Sequence, residues 1–327
     1  MSAPYPWLEA PWQRLLGSRA HPVQALLLAG PRGTGKGRLA RLWAQTLLCE
    51  APQADGMACG QCPACHWFET DAHPDFHLLT LQEKTGKEDE IRMATAIEVD
   101  QAREVVDFVQ LSTYRAGFRV VLVDPADCLN LAAANALLKV LEEPPLNTVF
   151  VLVSDQPRRL LPTLRSRCTR IDVGLPPVDQ AAQWLAGQGV ADTMNLLALA
   201  SGTPLEAQRR AEGSGLDERR AVLQSLADPA RLDPVTAAER WKTLSPQIWH
   251  DVAYKWLGDL LAVRLQGSVL FNRDFAEALT HLGGRADLAK LLALARTQAN
   301  EGRTLAHPLN RLLQLEAWLM QYRHVFD

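Results

Sequence analysis

Long apolar runs are missing from this 327-residue sequence. None reaches the ~18–20 consecutive apolar residues that a helix needs to cross a bilayer. The first residues also lack the basic start and apolar core of a signal peptide. These absences argue against a helical membrane protein, and we expect a cytoplasmic location. At ~100–200 residues per domain, the length predicts two or three domains.

A basic surplus is also missing, since 34 Lys and Arg residues face 37 Asp and Glu residues and the formal net charge is −3. Proteins that bind DNA by themselves usually carry such a surplus, because neutralising phosphates supplies most non-specific affinity. We therefore expect any contact with nucleic acid to be local or shared with partner chains.

Cysteine is scarce, but four of the six cysteines fall within 17 positions, at Cys49, Cys59, Cys62 and Cys65. In a cytosolic chain this clustering favours a metal over disulfides. Four thiolates suit the closed tetrahedral sphere of a structural Zn²⁺, with His66 and His73 as alternative ligands. The stretch 49–74 contains no Lys or Arg, which argues against phosphate contact there.

Short β-rich runs alternate with helical patterns in the first half of the chain, which predicts an α/β fold with a parallel sheet and helices on both faces. The predicted strands are Gln24–Ala29, Asp75–Thr80, Arg119–Val123, Thr148–Val153 and Cys168–Val173. The predicted helices are 36–48, 100–111 with Asp100 as N-cap, and 131–143, while 81–98 is predicted to be a surface excursion.

The pattern changes after residue 173, and from there on we predict only helices. The predicted domains are 1–173, with the cysteine module at 49–65, then a small helical domain 174–212 and a helical domain 213–327. Thr203 and Glu206 are spaced as the N-cap and N3 residues of a capping box, with Pro204 at N1. Apolar stripes on the later helices, such as the one predicted over 246–266, are expected to form a core.

A phosphate-binding loop is indicated by Gly30-Pro-Arg-Gly-Thr-Gly-Lys36, which follows a strand and opens a helix. Its backbone N–H groups and the helix N-terminus suit phosphate, and Lys36 is placed to reach the β- and γ-phosphates. The predicted cradle residues are Gly30, Gly33, Thr34, Gly35 and Lys36.

Two catalytic positions of that site depart from the pattern of an active ATPase. Gly37 stands where Ser or Thr ligates Mg²⁺. Asp124 ends an apolar strand and could hold the metal, but Pro125 follows it where a Glu would activate water. Asp127 is three positions further on and should project differently. We therefore predict a nucleotide fold kept for architecture, with ATP or ADP binding left open.

Five arginines lie between positions 158 and 170, namely Arg158, Arg159, Arg165, Arg167 and Arg170. They could form a solvated basic loop. Alternatively, Arg167, in Ser166-Arg-Cys168, could project to the γ-phosphate of a neighbouring subunit as an arginine finger, a role worth ~10³–10⁵ in rate.

These motifs together resemble the bacterial DNA polymerase III clamp loader, of the AAA+ class. The resemblance rests on Asn135-Ala-Leu-Leu-Lys-Val-Leu-Glu-Glu-Pro-Pro145, on Ser166-Arg-Cys168 and on the cysteine module after the P-loop helix, and covers about residues 1–210. It implies an AAA+ P-loop domain, a helical lid at 174–212 and an oligomerising collar at 213–327.

The departures point to one branch of that family. Its gamma/tau motor subunits have a complete phosphate loop, an Asp-Glu pair and a second sensor arginine, whereas this chain has Gly37, Pro125 and Leu205. The pattern is similar to that of delta-prime subunits, which implies a rigid subunit without ATPase activity of its own. It would lend Arg167 to the adjacent motor in a heteropentamer with gamma/tau and delta subunits, which loads a sliding clamp onto primed DNA. Ser154 stands at the first sensor position.

Two other functions stay open. An ATPase with an atypical site would use Asp124 for Mg²⁺, and hydrolysis by the isolated chain that Lys36→Ala abolishes would favour it. A nucleic-acid-binding module centred on the cysteine segment would show salt-dependent DNA binding by the chain alone.

Overall fold

The computed structural model describes residues 3–85, 91–114, 117–213, 215–301 and 311–327. It divides into two compact units, Met1–Gln180 and Ala181–Asp327. Among the described helices, none combines the length and the apolar character needed to cross a membrane. The division into a lid and a collar stays a prediction.

The first unit is built on a five-stranded parallel sheet with the strand order β2-β5-β6-β1-β7, next to a separate two-stranded antiparallel pair of β3 and β4. The strands are β1 Ala25–Ala29, β2 Phe76–Leu79, β3 Glu83–Thr85, β4 Ile91–Met93, β5 Arg119–Val123, β6 Thr148–Ser154 and β7 Thr169–Asp172. All five main strands fall where the sequence predicts them. The predicted α/β class with a parallel sheet is thereby confirmed.

Helices cover both faces of this sheet because its central strands are apolar on both sides. Along β1, Leu26 and Leu28 pack in the layer that contains Trp43, whereas Leu27 packs in the layer that contains Leu137. The helices of this unit are α1 Glu9–Gly17, α2 Lys36–Leu48, α3 Pro63–Glu69, α4 Val99–Gln110, α5 Leu131–Glu142 and α6 Pro162–Ser166.

The start of α4 corrects one prediction. Asp100 is not its N-cap, because Glu98 takes that position in a reciprocal capping box with Gln101. The Glu98 N–H donates to Gln101 Oε1 at 3.0 Å, and the Glu98 side chain accepts from the backbone N–H of Gln101. Within the predicted excursion 81–98 the structure has the β3–β4 pair; residues 86–90 lie outside the described residues.

The second unit is helical throughout its described residues, as predicted. Its helices are α7 Val178–Gly187, which begins just before the unit boundary, α8 Thr193–Leu199, α9 Pro204–Glu212, α10 Gly215–Leu226, α11 Pro234–Trp241, α12 Pro246–Arg264, α13 Ala276–Arg285, α14 Leu288–Glu301 and α15 Arg311–His324. The capping box predicted at Thr203 is wrong, although α9 does begin at Pro204. The Thr203 hydroxyl donates to the Ala200 carbonyl at 2.7 Å, and Glu206 binds Arg209 and Arg210 instead.

The apolar stripe of α12 forms core, as predicted. Trp256 is fully buried, and its Nε1 donates to the Tyr322 hydroxyl at 2.8 Å. That hydroxyl donates in turn to the Leu226 carbonyl at 2.7 Å. Helices α10, α12 and α15 are therefore joined by a hydrogen-bonded chain inside an apolar core, which satisfies the polar atoms of both rings.

A buried carboxylate fixes the loop that follows α12. Asp259 is 0% exposed and accepts hydrogen bonds of 2.7–2.9 Å from the backbone N–H groups of Leu270, Phe271 and Asn272 and from the Asn272 side-chain amide. No local sequence pattern indicates these partners, which are 11–13 positions away.

We expect Asp259→Ala to lower the free energy of unfolding by about 3 kcal/mol or more, because it leaves several buried donors without an acceptor. Urea denaturation followed by circular dichroism measures this cost. Glu277→Ala is the matched control, since Glu277 is exposed on α13 and should change the same quantity by less than about 0.5 kcal/mol. Equal effects of the two substitutions would contradict the proposed role of Asp259.

Candidate functional site

The predicted phosphate loop lies at the edge of the sheet where the parallel strands end. Residues 30–35 connect β1 to α2, Asp124 follows β5, and Asp155 follows β6. Because β1, β5 and β6 are neighbouring parallel strands, their carboxyl ends bring these residues together. Such an edge is where open α/β sheets place their ligands.

The lysine of the loop is already engaged. The Lys36 side chain is 2% exposed, and its Nζ lies 2.7 Å from Asp155 Oδ1 and donates to the Pro31 carbonyl at 2.7 Å. A phosphate in the cradle would have to compete with Asp155 for this ammonium. Asp155 is a site residue that the sequence motifs did not indicate.

Gly37, which stands at the metal-ligand position of the motif, lies against a carboxylate. A Cβ built on Gly37 would be 2.5 Å from Asp124 Oδ2, so the space of a Ser or Thr side chain is taken by Asp124. Burial raises the pKa of the Asp124 carboxyl to about 6, with further contributions from Asp155 and Asp127, and Lys36 opposes the shift. Three carboxyl groups therefore gather where an ATPase would hold phosphate and metal.

Two further residues predicted for this site have other surroundings. Asp127 Oδ1 accepts from the backbone N–H of Asp155 at 2.9 Å, so it holds the loop after β6 and is not a free base. Ser154 is 0% exposed, and its Oγ has no hydrogen-bond partner among the described residues.

An aromatic pair from the N-terminal segment lies against the loop. The rings of Tyr5 and Trp7 stack with centroids 5.0 Å apart, and Trp7 Nε1 donates to the Thr34 carbonyl at 2.8 Å. Gly35 has a φ of 89°, and a Cβ there would lie 2.6 Å from the Tyr5 ring. The guanidinium of Arg38 lies over the Tyr5 ring, 4.3 Å from its centroid. The sequence analysis did not predict that Tyr5 and Trp7 lie against the phosphate loop, because no motif indicates this contact.

Arg167 lies just after α6, and about one third of its side chain is exposed. Its Nη1 donates to the Thr163 carbonyl at 2.8 Å, and its Nη2 pairs with Glu142 at the end of α5. Among the other four arginines, Arg170 pairs with Asp172, and Arg165 bonds to the Pro157 carbonyl.

The four clustered cysteines come together at the end of α2 and the start of α3. Their Sγ atoms all lie within 4.8 Å of one another, with Cys49 3.6 Å from Cys59 and 4.0 Å from Cys62, and Cys59 4.0 Å from Cys65. Four thiolates bound to zinc at ~2.3 Å form a tetrahedron with edges of about 3.8 Å. The cluster therefore fits a bound metal ion and is compatible with structural zinc.

The surroundings of the cluster favour a thiolate at one position. Hydrogen bonds from the backbone N–H groups of Gln61 and Cys62 lower the pKa of the Cys59 thiol to about 6, whereas burial raises the pKa of Cys49 and Cys65. Neither His66 nor His73 joins the group within the described ranges. His73 Nδ1 instead accepts from the Asp75 N–H at 3.0 Å.

Restoring a hydroxyl at the metal-ligand position should damage the fold. We expect Gly37→Ser to lower the free energy of unfolding by about 1–3 kcal/mol, because its Cβ overlaps the Asp124 carboxylate. Chemical denaturation followed by tryptophan fluorescence measures this cost, which should largely disappear when Asp124→Ala is also present. Gly17→Ser is the control, since a Cβ on Gly17 meets nothing within 4 Å. An equal cost with and without Asp124 would exclude the overlap as the cause.

The cysteine cluster should hold one metal ion per chain. Elemental analysis of purified protein should find one equivalent, and Cys62→Ser should lower that content because it removes one of four ligands. Cys128→Ser is the matched control, since Cys128 is a free cysteine outside the cluster. If both variants keep a full equivalent, the cluster is not the metal site.

The sequence has relatives along nearly its whole length. A family profile described as DNA polymerase III, delta subunit, matches residues 13–176. The DNA polymerase III subunit delta' of Pseudomonas aeruginosa is 38% identical over 97% of this chain and 97% of its own length. The Escherichia coli subunit of the same name is 33% identical over 90% of this chain and 85% of its own length.

Similarity to solved structures is lower. A DNA polymerase III gamma subunit-related protein of Thermotoga maritima has a TM-score of 0.45 and 18% identity, with 97% of this chain and 99% of that chain covered. The assignment therefore rests on the sequence relatives and on the matched family profile. By these two criteria, the chain belongs to the family of DNA polymerase III delta' subunits.

Proposed function

We propose that this chain is a non-hydrolysing subunit of the DNA polymerase III sliding-clamp loader. It acts as a rigid member of a heteropentameric ring with gamma/tau motor subunits and a delta subunit, which places a sliding clamp on primed DNA. It supplies Arg167 to the neighbouring motor. The observation that carries the non-hydrolysing part is the engagement of Lys36 by Asp155 inside the phosphate loop.

Each group that an ATPase needs at this site is either engaged by another residue or absent. The phosphate-binding ammonium of Lys36 is neutralised by Asp155. The Asp124 carboxylate fills the space beside Gly37 where a metal-binding hydroxyl would stand. Pro125 offers no base, and Asp127 is hydrogen-bonded to the backbone of Asp155. An atypical ATPase would require Lys36 to leave its partner, so we expect at most weak binding of ATP or ADP in the cradle of Gly30, Gly33, Thr34 and Gly35.

Arg167 has the properties that a finger acting in trans requires. Its guanidinium is partly exposed, it lies at the junction of α6 and β7, and it keeps donors beyond those used by Thr163 and Glu142. A guanidinium presents a planar fork that matches phosphate oxygens, which a lysine does not. It could therefore stabilise charge on a γ-phosphate held by an adjacent subunit.

The cysteine cluster supports the same rigid role. We take its ion to be Zn²⁺ held by Cys49, Cys59, Cys62 and Cys65, where a closed Cys₄ sphere leaves no position for substrate. The ion links the end of α2 to α3, because Cys49 caps the former and Cys65 belongs to the latter. Since residues 49–74 contain no Lys or Arg, the module is structural and does not bind DNA phosphates.

Replacing the finger tests the proposal. In the complex reconstituted with motor subunits, clamp and primed DNA, we expect Arg167→Ala to remove the ATP turnover of one motor site, because loss of an arginine finger costs ~10³–10⁵ in rate at that site. The measurement is steady-state ATP hydrolysis, with assembly checked by gel filtration.

Arg158→Ala is the matched control, since Arg158 is exposed and belongs to the same arginine-rich segment. It should leave turnover unchanged. If Arg167→Ala also leaves turnover unchanged in an intact complex, Arg167 does not act in trans and has a structural or DNA-facing role.

A further inference from the structure

Glu142 is the last residue of α5, and its carboxylate pairs with Nη2 of Arg167. We propose that Glu142 is a resident counter-ion of the finger, which a neighbour's phosphate must displace before Arg167 can engage. Glu142 then sets how much nucleotide the adjacent motor site needs. This inference rests on the proposed trans role of Arg167.

The contacts of the guanidinium show which of its nitrogens are in use. Thr163 accepts from Nη1 through its backbone carbonyl, and Glu142 binds Nη2. A phosphate that accepts two parallel hydrogen bonds from the terminal nitrogens uses the same two atoms. Each of these nitrogens carries two hydrogens, so the present contacts leave donors over. The competition is therefore one of charge, because the neutral Thr163 carbonyl can stay in place, whereas the Glu142 carboxylate repels a charged phosphate oxygen that approaches the same guanidinium.

The charge of the pair also favours competition over support. A finger works by bringing a positive charge to a transition state that accumulates negative charge. A carboxylate left on the guanidinium offsets that charge, so the productive state is the one from which Glu142 has withdrawn. Glu142 therefore differs from a residue that merely orients the finger, whose removal would lower turnover.

A second cation lies close enough to pair with Glu142 once its carboxylate leaves Arg167. Lys139 lies three residues earlier on the same helix and is exposed. In the part of the chain that the structure describes, it forms no ion pair. Residues three apart on a helix are neighbours, so the released carboxylate can pair with Lys139.

The pair is solvent-accessible, which fixes the scale of the effect. The Arg167 and Glu142 side chains are 33% and 49% exposed, and exposed ion pairs of this kind are weak. Displacing Glu142 should therefore change the apparent affinity of the neighbouring site by roughly two- to fivefold, not by orders of magnitude.

The test is the ATP dependence of turnover by the reconstituted complex that contains Glu142→Gln. Glutamine keeps the size of the side chain and removes its charge. Subtracting the turnover of the corresponding Arg167→Ala complex at each ATP concentration isolates the component that depends on the finger. We expect Glu142→Gln to lower the apparent KM of that component roughly two- to fivefold, with a kcat that is unchanged or higher.

Glu143→Gln is the matched control. Glu143 is the next residue along the chain, is exposed, and has no side-chain partner among the described residues. It loses the same charge and should leave the apparent KM unchanged. If both substitutions shift the apparent KM equally, the effect comes from the loss of one negative charge from the local electrostatic potential, and the counter-ion proposal is wrong.

Two further outcomes also overturn the proposal. A lower kcat with Glu142→Gln means that Glu142 supports the finger, and an unchanged KM means that the pair is not broken during turnover. Failure of the underlying function is distinguishable, because Arg167→Ala then leaves total turnover unchanged and no finger-dependent component exists to analyse.

Discussion

A lysine ammonium that is almost completely removed from water must have an anion beside it, and the phosphate loop of this chain is organised around that constraint. Lys36 is 2% exposed and meets Asp155 at 2.7 Å. Leaving one charge of a buried pair without its partner costs about 3–5 kcal/mol. In a nucleotide-binding subunit a phosphate supplies the negative charge. Here Asp155 supplies the negative charge.

Two further contacts of the phosphate loop are also made by residues of this chain. Gly37 lets the Asp124 carboxylate approach the start of α2, and Trp7 is hydrogen-bonded to the Thr34 carbonyl. Both contacts are made within the chain, and Gly35 and Gly37 allow the Tyr5 ring and the Asp124 carboxylate to approach the backbone closely.

The ion pair between Arg119 and Asp75 is more deeply buried than the pair that holds Arg167. The Arg119 and Asp75 side chains are 3% and 5% exposed and tie β5 to the residue that precedes β2. Such a pair is structural, because breaking it strands a charge away from water. The guanidinium of Arg167 and the carboxylate of Glu142 both keep access to solvent. Exchange of partners therefore costs less free energy at Arg167 than at the buried Arg119–Asp75 pair.

The main strands and the cysteine cluster could be predicted because each is encoded by nearby residues. The apolar run of β1 and the spacing of Cys59, Cys62 and Cys65 need no knowledge of distant contacts. The partner of Lys36 is 119 positions away, and only the parallel pairing of β1 with β6 brings Asp155 to it. The two incorrect caps have a different, local cause, because the spacing allowed more than one pairing: Glu98 and not Asp100 caps α4, and Thr203 bonds to Ala200.

Helix α2 is held at both ends by contacts within the chain, so it can act as a rigid strut. Its first residue, Lys36, is held by Asp155, and its last turn leads directly into Cys49 of the cysteine cluster. At 1.5 Å per residue, its 13 residues form a rod of about 20 Å. We expect such a strut to keep its length whether or not ATP is present in solution, because the contacts at both of its ends come from residues of the chain itself. In the proposed clamp loader, it would give the moving motor subunits a fixed point of reference.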